Sequence, residues 1–347
     1  MMRARRIACF IALVAACGKG KAEPSATQGA PPDQTATLLK AQGTDALPAE
    51  TRVIVGLSVP KIAGAPLARR LVADLLGRDA EAHQRLVDIL ARCKIDPEKD
   101  VESVTIGMVE GQDLALFVRG KLDEKGLADC VRAEATAGGG SFAEQQLLGR
   151  TVYVATSKEG GQKVLFTFAP DKTLVVALSE AWLTKILDPK APKLDGAKDK
   201  EMVALLGRVS KDAAVWGTGF LPPGVGKNLV EVTGGQVTQP AQSTAFEATF
   251  DKGLVGTLRL DMKGATDAEK LAAFVKTQLD WLAVAAQKYS IGPVVAKIQV
   301  VSDQASVKIS AHLDENDVKT LEAALAKSDK SDKPDKPDKN EKKEQSK

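Results

Sequence analysis

Short strand-like segments separated by tight turns recur along this chain of 347 residues. Gly111-Gln112-Asp113 follows the β-rich stretch 101–109, and Asp251-Lys252-Gly253 follows the β-rich stretch 245–250. Reversals this short bring neighbouring strands together as antiparallel hairpins. They argue against a doubly wound parallel sheet, because a parallel pair needs a long crossover connection.

Helical patterns alternate with these hairpins. We expect helices near 123–135, 267–287 and 315–326, because apolar residues recur there at three- and four-residue spacing. Thr266-Asp267-Ala268-Glu269 has the form of a capping box, and Ser179 is expected to cap a helix ending near residue 187. The sequence therefore predicts an α+β fold in which antiparallel meander sheets are backed by helices.

The order of elements is similar in the two halves of the chain. A hairpin, a helix, further strands and a closing helix are expected in 101–187, and the same order is expected in 245–326. These stretches lie in two predicted units, 51–188 and 201–326. Residues 189–200 are rich in Pro and Lys and are predicted to be a linker. The sequence thus favours two α+β units that arose by duplication, although a coincidental likeness of common residues remains the alternative.

The first 16 residues have the composition of a secretory signal peptide. Arg3, Arg5 and Arg6 precede the apolar run 7–16, which is too short to span a bilayer. Val14-Ala15-Ala16-Cys17 resembles the lipobox of bacterial lipoproteins. This resemblance implies that Cys17 becomes the acylated N-terminus of the mature protein. The alternative is an ordinary cleaved signal with a cysteine nearby by chance.

The lipobox resemblance also implies a place in the cell envelope. Gly18 follows Cys17, and the absence of Asp at that position favours the outer membrane if the host is Gram-negative. Residues 17–50 are rich in Ala, Pro and Gly and are expected to form a flexible tether. Residues 327–347 are highly charged and are expected to form a solvated tail, with contact to the cell wall or lipopolysaccharide as the alternative.

The charge balance disfavours nucleic acid as a partner. The whole chain carries 48 Lys and Arg against 45 Asp and Glu. Removal of the leader takes three arginines away, so the mature protein is close to neutral and lacks the basic footprint that nucleic acid requires. The membrane is therefore expected to be reached through the lipid and not through a general electrostatic attraction.

Cys93 and Cys130 are the two cysteines left after the leader and the lipidated position are set aside. In an oxidising compartment two remaining cysteines indicate a disulfide, and the alternative is two separate buried thiols.

No motif for catalysis or metal binding stands out. The chain contains neither CxxC nor HExxH, and Gly224-Val225-Gly226-Lys227-Asn228 lacks the remaining residues of a phosphate-binding loop. We therefore expect no enzyme, no cofactor and no metal.

The stretch 221–243 is long and rich in Gly, and such loops are often either functional or disordered. We single out its apolar residues Val225, Leu229 and Val230, together with Trp281 on the helix predicted at 267–287, as a candidate contact for a partner or ligand. For Trp281, simple packing against the sheet is the alternative.

The segments 59–71 and 93–107 resemble a pattern in uncharacterised bacterial envelope proteins, and this resemblance implies no activity. The leading expectation is a lipid-anchored, non-enzymatic binding module whose partner is an unknown envelope protein. The alternatives are a carrier that holds lipid or another hydrophobic ligand between sheet and helices, and an envelope enzyme.

Overall fold

A computed structural model describes residues 44–331 except 78, 110–112, 159–162, 195–199 and 288–289. Twelve strands lie in this part of the chain. They are β1 Val53–Ser58, β2 Val101–Met108, β3 Leu114–Gly120, β4 Ser141–Leu147, β5 Arg150–Thr156, β6 Lys163–Phe168, β7 Leu174–Ala177, β8 Val215–Phe220, β9 Ser243–Thr249, β10 Leu254–Asp261, β11 Ile298–Asp303 and β12 Ser306–Leu313.

Eleven α-helices connect these strands in the described residues, after a 3-10 turn at Thr44–Ala46. They are α1 Val59–Ala63, α2 Pro66–Gly77, α3 Ala80–Arg92, α4 Pro97–Asp100, α5 Glu124–Ala137, α6 Glu180–Leu187, α7 Glu201–Leu206, α8 Pro223–Val232, α9 Ala265–Ala286, α10 Gly292–Val295 and α11 Glu315–Ser331. No helix among the described residues is long and apolar enough to cross a bilayer.

All twelve strands form one antiparallel sheet, so the predicted α+β class with meander strands is confirmed. The strand order is β11-β12-β10-β9-β8-β1-β2-β3-β7-β6-β5-β4. Each half of the chain supplies three neighbouring strands, then a helix, and then a second group of strands whose last member pairs with the third strand of the first group. The second group has four strands in the first half and two in the second. The two halves meet where β1 pairs with β8, so the predicted units share one continuous sheet.

The two faces of the sheet carry different helices. We call the face that carries α5 and α9 the front face, and the face that carries α6 and α7 the back face. The largest core cluster lies on the back face, where Ile54 and Phe117 of the first half pack with Trp216 and Met202 of the second. Because both halves contribute side chains, neither half can form this core alone.

Two smaller clusters lie on the front face. Helix α5 buries Ala128 and Val131 against β5, β6 and β7, where Tyr153 stacks on Phe166 with ring centroids 4.9 Å apart. Helix α9 buries Leu271 and its neighbours against β10, β11 and β12. Each helix therefore covers one end of the front face.

Three predicted boundaries differ from the structure. The tether was predicted to reach residue 50, but Leu47 is fully buried because it fills the hollow above Gly107. The linker was predicted from residue 189, but Leu194 is fully buried in the core and Lys193 bridges to Pro48. The charged tail was predicted from residue 327, but α11 continues to residue 331. At the first two boundaries local composition misled us because Leu47 and Leu194 pack against residues distant in the sequence.

One predicted cap is present and another is replaced. The Ser179 hydroxyl accepts from the backbone N–H of Trp182 at the start of α6, as predicted. Helix α9 instead begins at Ala265 after Gly264, without a side-chain cap. Asp267 is buried and accepts hydrogen bonds from the backbone and hydroxyl of Thr238, so it fixes a distant loop and not its own helix start.

Candidate functional site

The disulfide predicted between Cys93 and Cys130 is present, with 5.4 Å between the two Cα atoms. Beside it the Arg92 guanidinium donates to both carboxylate oxygens of Glu134, at 2.5 and 2.7 Å. The covalent bond and the ion pair together fix the end of α3 against α5. The helical hairpin α2–α3 is thereby held on the same side of the sheet as α5.

A continuous row of apolar side chains crosses the front face. Directly paired residues of neighbouring antiparallel strands lie on the same face of a sheet. The pairing register therefore places eleven residues from β5 to β11 in a single row, in the order Tyr153, Phe166, Val176, Leu116, Ile106, Val55, Gly217, Phe246, Leu258, Ile309 and Val300.

The ends of this row belong to the core clusters under α5 and α9, and its middle belongs to none of the core clusters. Helix α5 covers Tyr153 and Phe166, and helix α9 covers Ile309 and Val300. Between them lies a set of half-buried residues that belong to none of the three core clusters, and we call this set the front strip: Val55, Leu57, Val104, Ile106, Leu116, Val215, Phe246 and Leu258. The strip spans six strands, or about 24 Å at the usual strand spacing of roughly 4.8 Å.

The stretch 221–243 differs from the long loop that we expected, because residues 223–232 form α8. Proline near the first turn favours helix initiation, and the glycines masked this signal in the sequence. Val225 is exposed on α8, whereas Leu229 packs against the α9 cluster and Val230 is half-buried. The three residues therefore do not form a single exposed surface.

Trp281 lies in a separate exposed patch near the end of α9. It is 69% exposed, and Val284 on the next turn is 67% exposed, while Leu282 beside them is also exposed. Leu271, Ala272 and Ala286 of α9 are buried, so both ends of the helix pack and the exposed patch lies on its outer side near the C-terminal end. An exposed tryptophan next to exposed aliphatic residues is typical of a contact surface.

A polar cavity of about 200 Å³ opens on the back face at the junction of the two halves. Its floor is formed by β2, β1 and β8, where Thr105, Gly56 and Trp216 are direct pairing partners. The indole of Trp216 lies flat over Gly56, because a Cβ atom at Gly56 would approach it to 2.1 Å. Ser58 and Ser103, the next pair on this face, complete the floor. We call this space the junction cavity.

The rim of the junction cavity carries charge. Lys61 of α1 and Lys211 with Asp212 before β8 line it. The Lys61 ammonium donates to the backbone carbonyl of Asp212 at 2.5 Å, and the Lys211 ammonium donates to the hydroxyl of Thr44 at 3.1 Å. These contacts connect the rim across residues that are far apart in the sequence.

Asp261 is the most heavily hydrogen-bonded carboxylate on the back face. It accepts from the hydroxyls of Ser243 and Ser306, its pairing partners on β9 and β12, at 2.6 and 2.7 Å. It also accepts from Arg259 and Arg208. Burial raises the pKa of Asp261, but these hydrogen bonds outweigh burial and leave the pKa below its usual value. A carboxylate with all its acceptor positions engaged stabilises structure and is a poor general base.

A second cavity, of about 400 Å³, lies between the start of α5 and the β6–β7 turn. Arg150, Glu124 and Lys172 are among its lining residues, and burial lowers the pKa of Arg150. Across the described part of the chain, no group of three or more His, Cys, Asp or Glu side chains is arranged to hold a metal ion.

Comparisons with known proteins identify no family. No protein-family model matches the chain, and no curated protein matches it. A solved structure described as crystal form I of TP0453 is similar over 82% of this chain and 96% of the other, with 11% sequence identity and a TM-score of 0.45.

Sequence reasoning missed both the front strip and the junction cavity. The strip residues read as ordinary alternating strand positions, and only the pairing register shows that they adjoin. The cavity joins residues 56–61, 103–105 and 211–216, which are about 40 to 160 positions apart. A cluster of Gly, Ser and Thr facing one side of adjacent strands is a signal that could have indicated a hollow, but only after the strand order is known.

Proposed function

We propose that this chain is a lipid-anchored protein of the cell envelope whose folded body binds an apolar partner and does not catalyse a reaction. The anchor is acylated Cys17, and Gly18 after it favours the outer membrane in a Gram-negative host. Two or more acyl chains hold a protein durably at a bilayer, whereas one chain holds it only marginally.

The tether length is compatible with binding close to the membrane. The described part of the fold begins at Thr44, and 26 residues lie between it and Cys17. At about 3.4 Å per extended residue the body could stand at most about 90 Å from the bilayer.

Intact mass and envelope fractionation test the anchor. We expect the native protein to have the mass of a chain beginning at Cys17 plus lipid and to fractionate with membranes. A Cys17→Ser variant should lose both the lipid and the membrane association. A native chain that begins elsewhere and fractionates with soluble proteins would contradict the anchor.

The observation that carries the binding proposal is the front strip. Eight large apolar side chains on six neighbouring strands are only half-buried and belong to none of the core clusters, although each end of the same face is covered by a helix. A contiguous apolar surface that is not fully buried is typical of a site that meets a partner. The exposed Trp281 patch on α9 adds a second apolar contact that favours a protein partner of the envelope.

A hydrophobic small ligand is the second candidate. The front strip lies between α5 and α9, so an extended acyl chain could lie along it with a helix on either side. This arrangement corresponds to the carrier alternative, in which the ligand is held between sheet and helices.

A fluorescent long-chain fatty acid distinguishes the two candidates. If a ligand lies on the strip, the full-length protein should bind the probe saturably, and the double variant Val55→Thr with Ile106→Thr should bind it about tenfold less tightly. Val301→Thr makes the same change on the exposed back face of β11 and serves as the control. Absence of saturable binding, or equal weakening by the control, would remove the ligand candidate and leave the protein partner.

A further inference from the structure

We propose that the junction cavity binds a phosphoryl group. The cavity is rich in unused hydrogen-bond donors, and that is the chemistry an oxyanion requires. This site is independent of the lipid anchor and of the front strip, because it lies on the opposite face of the sheet and involves none of the strip residues except Leu57, which also lines the cavity.

Two of the donors are almost completely buried. Thr105 and Trp216 are each 2% exposed, and both line the cavity. Within the described part of the chain neither the Thr105 hydroxyl nor the Trp216 indole N–H has a hydrogen-bond partner, and neither is sealed away from the open space of the cavity. The rest of each side chain is buried, so these two donors can be satisfied only by a ligand or water in the cavity.

Further donors converge on the same space. The hydroxyls of Ser58 and Ser103 make no hydrogen bond with any described residue. The Lys61 ammonium uses one of its three donors on the Asp212 carbonyl and forms no ion pair within the described ranges. Lys211 contributes a second ammonium on the rim.

The number and direction of these groups favour a phosphoryl group over a carboxylate. A carboxylate is planar and offers two oxygens, whereas a phosphate monoester offers three terminal oxygens that point in different directions. The donors approach the cavity from several sides, because they lie on β1, β2, β8, α1 and the segment before β8. Its volume of about 200 Å³ compares with about 30 Å³ per water molecule, so it has room for a phosphoryl group and a few attached atoms.

The source of the phosphoryl group is either a free phosphate compound or the headgroup of a lipid. Calorimetric titration of the full-length protein with inorganic phosphate and with glycerol 3-phosphate tests the first source. Flotation with phosphatidylcholine vesicles that contain phosphatidic acid tests the second. Acetate serves as the carboxylate comparison in the titrations.

Matched variants connect any binding to the cavity. Lys61→Gln and Thr105→Val should each weaken binding about tenfold, because each removes one hydrogen bond to a charged ligand. Thr105→Ser retains the hydroxyl and should restore binding to within about threefold. Lys276→Gln removes another exposed helical lysine, on α9 away from the cavity, and should leave binding unchanged.

The possible results distinguish the two sources of the phosphoryl group and can overturn the proposal. Saturable binding of a soluble phosphate that depends on Lys61 assigns the site to a free phosphate compound, and binding confined to phosphatidic acid vesicles with the same dependence assigns it to a lipid headgroup. No binding of any phosphate probe overturns the proposal, as does equal weakening by Lys61→Gln and Lys276→Gln. Acetate binding as tight as that of phosphate overturns the phosphoryl assignment.

Discussion

Asp261 shows how a single side chain can hold several elements together. Its carboxylate accepts from β9 through Ser243, from β12 through Ser306 and from Arg208 after α7. Arg259 completes the network, since it donates both to Asp261 and to the Ser306 hydroxyl. The sequence offers no sign of this network, because its members become neighbours only through strand pairing.

We expect Asp261→Asn to lower the free energy of unfolding by about 2 kcal/mol, because an amide nitrogen then faces donors that need an acceptor. Urea denaturation at neutral pH measures the change. Asp280→Asn, at an exposed position on α9 outside this network, should change stability by less than about 0.5 kcal/mol.

The pH dependence provides a second measurement for Asp261. Since its folded-state pKa is lowered, its contribution is present at neutral pH and is lost as pH falls through that pKa. The stability difference between wild type and Asp261→Asn should therefore shrink in acid. A difference that stays constant down to the acid limit of folding would contradict the network.

Lys193 should make stability depend on pH at the alkaline end of the range, where Asp261 has no effect. Burial lowers the pKa of its ammonium from 10.5 to about 8, although the ammonium donates to the Lys185 and Ile186 carbonyls at the end of α6. Between these two values the unfolded chain binds more protons, so wild-type stability should rise with pH relative to Lys193→Gln. We expect a relative gain on the order of 1 kcal/mol, because the side chain is partly exposed. Lys190→Gln should show no such trend.

At the scale of elements, local signals predicted the hairpins, the Ser179 cap and the disulfide well. Those signals were sufficient because the partners are close in sequence or chemically unique. The helix α8 and the role of Asp267 were not foreseen. The glycines of the 223–232 segment argue against a helix in the sequence. The role of Asp267 depends on Thr238, which is 29 positions away.

The Cys93–Cys130 disulfide joins two helices across a separation of 37 residues. Replacing both cysteines by serine should cost about 3–4 kcal/mol of stability, because the unfolded chain regains the freedom of that closed loop. Thermal unfolding with and without dithiothreitol measures this. The reductant should lower the midpoint of the wild type and not that of the double variant, and an unchanged wild type would contradict the prediction.

At the scale of the whole molecule, the two predicted units are parts of one structure. The β1–β8 pair joins their strands, and the back-face core mixes Ile54 and Trp182 with Met202 and Trp216. Each unit alone would expose an unpaired central strand edge and part of an apolar core, which promotes aggregation.

We therefore expect the fragments 44–194 and 200–331 to lack cooperative unfolding when each is produced alone, and to recover it when they are produced together. Circular dichroism during heating and the dispersion of amide resonances measure this. A cooperative transition in either isolated fragment would show that the units are independent domains.

The sequence by itself determined the helix–hairpin alternation and hence the α+β class, because each of these depends on residues within one turn or one helix. It also indicated the Cys93–Cys130 pair, because these are the two cysteines left after Cys9 and Cys17 are assigned to the predicted leader and the predicted lipid anchor. Tertiary structure alone decided the strand order, the shared β1–β8 junction, the front strip and the junction cavity. These features arise from pairing between strands up to about 160 residues apart. The period of apolar residues along a strand indicates which side of that strand is buried, but it does not indicate which other strand pairs with it.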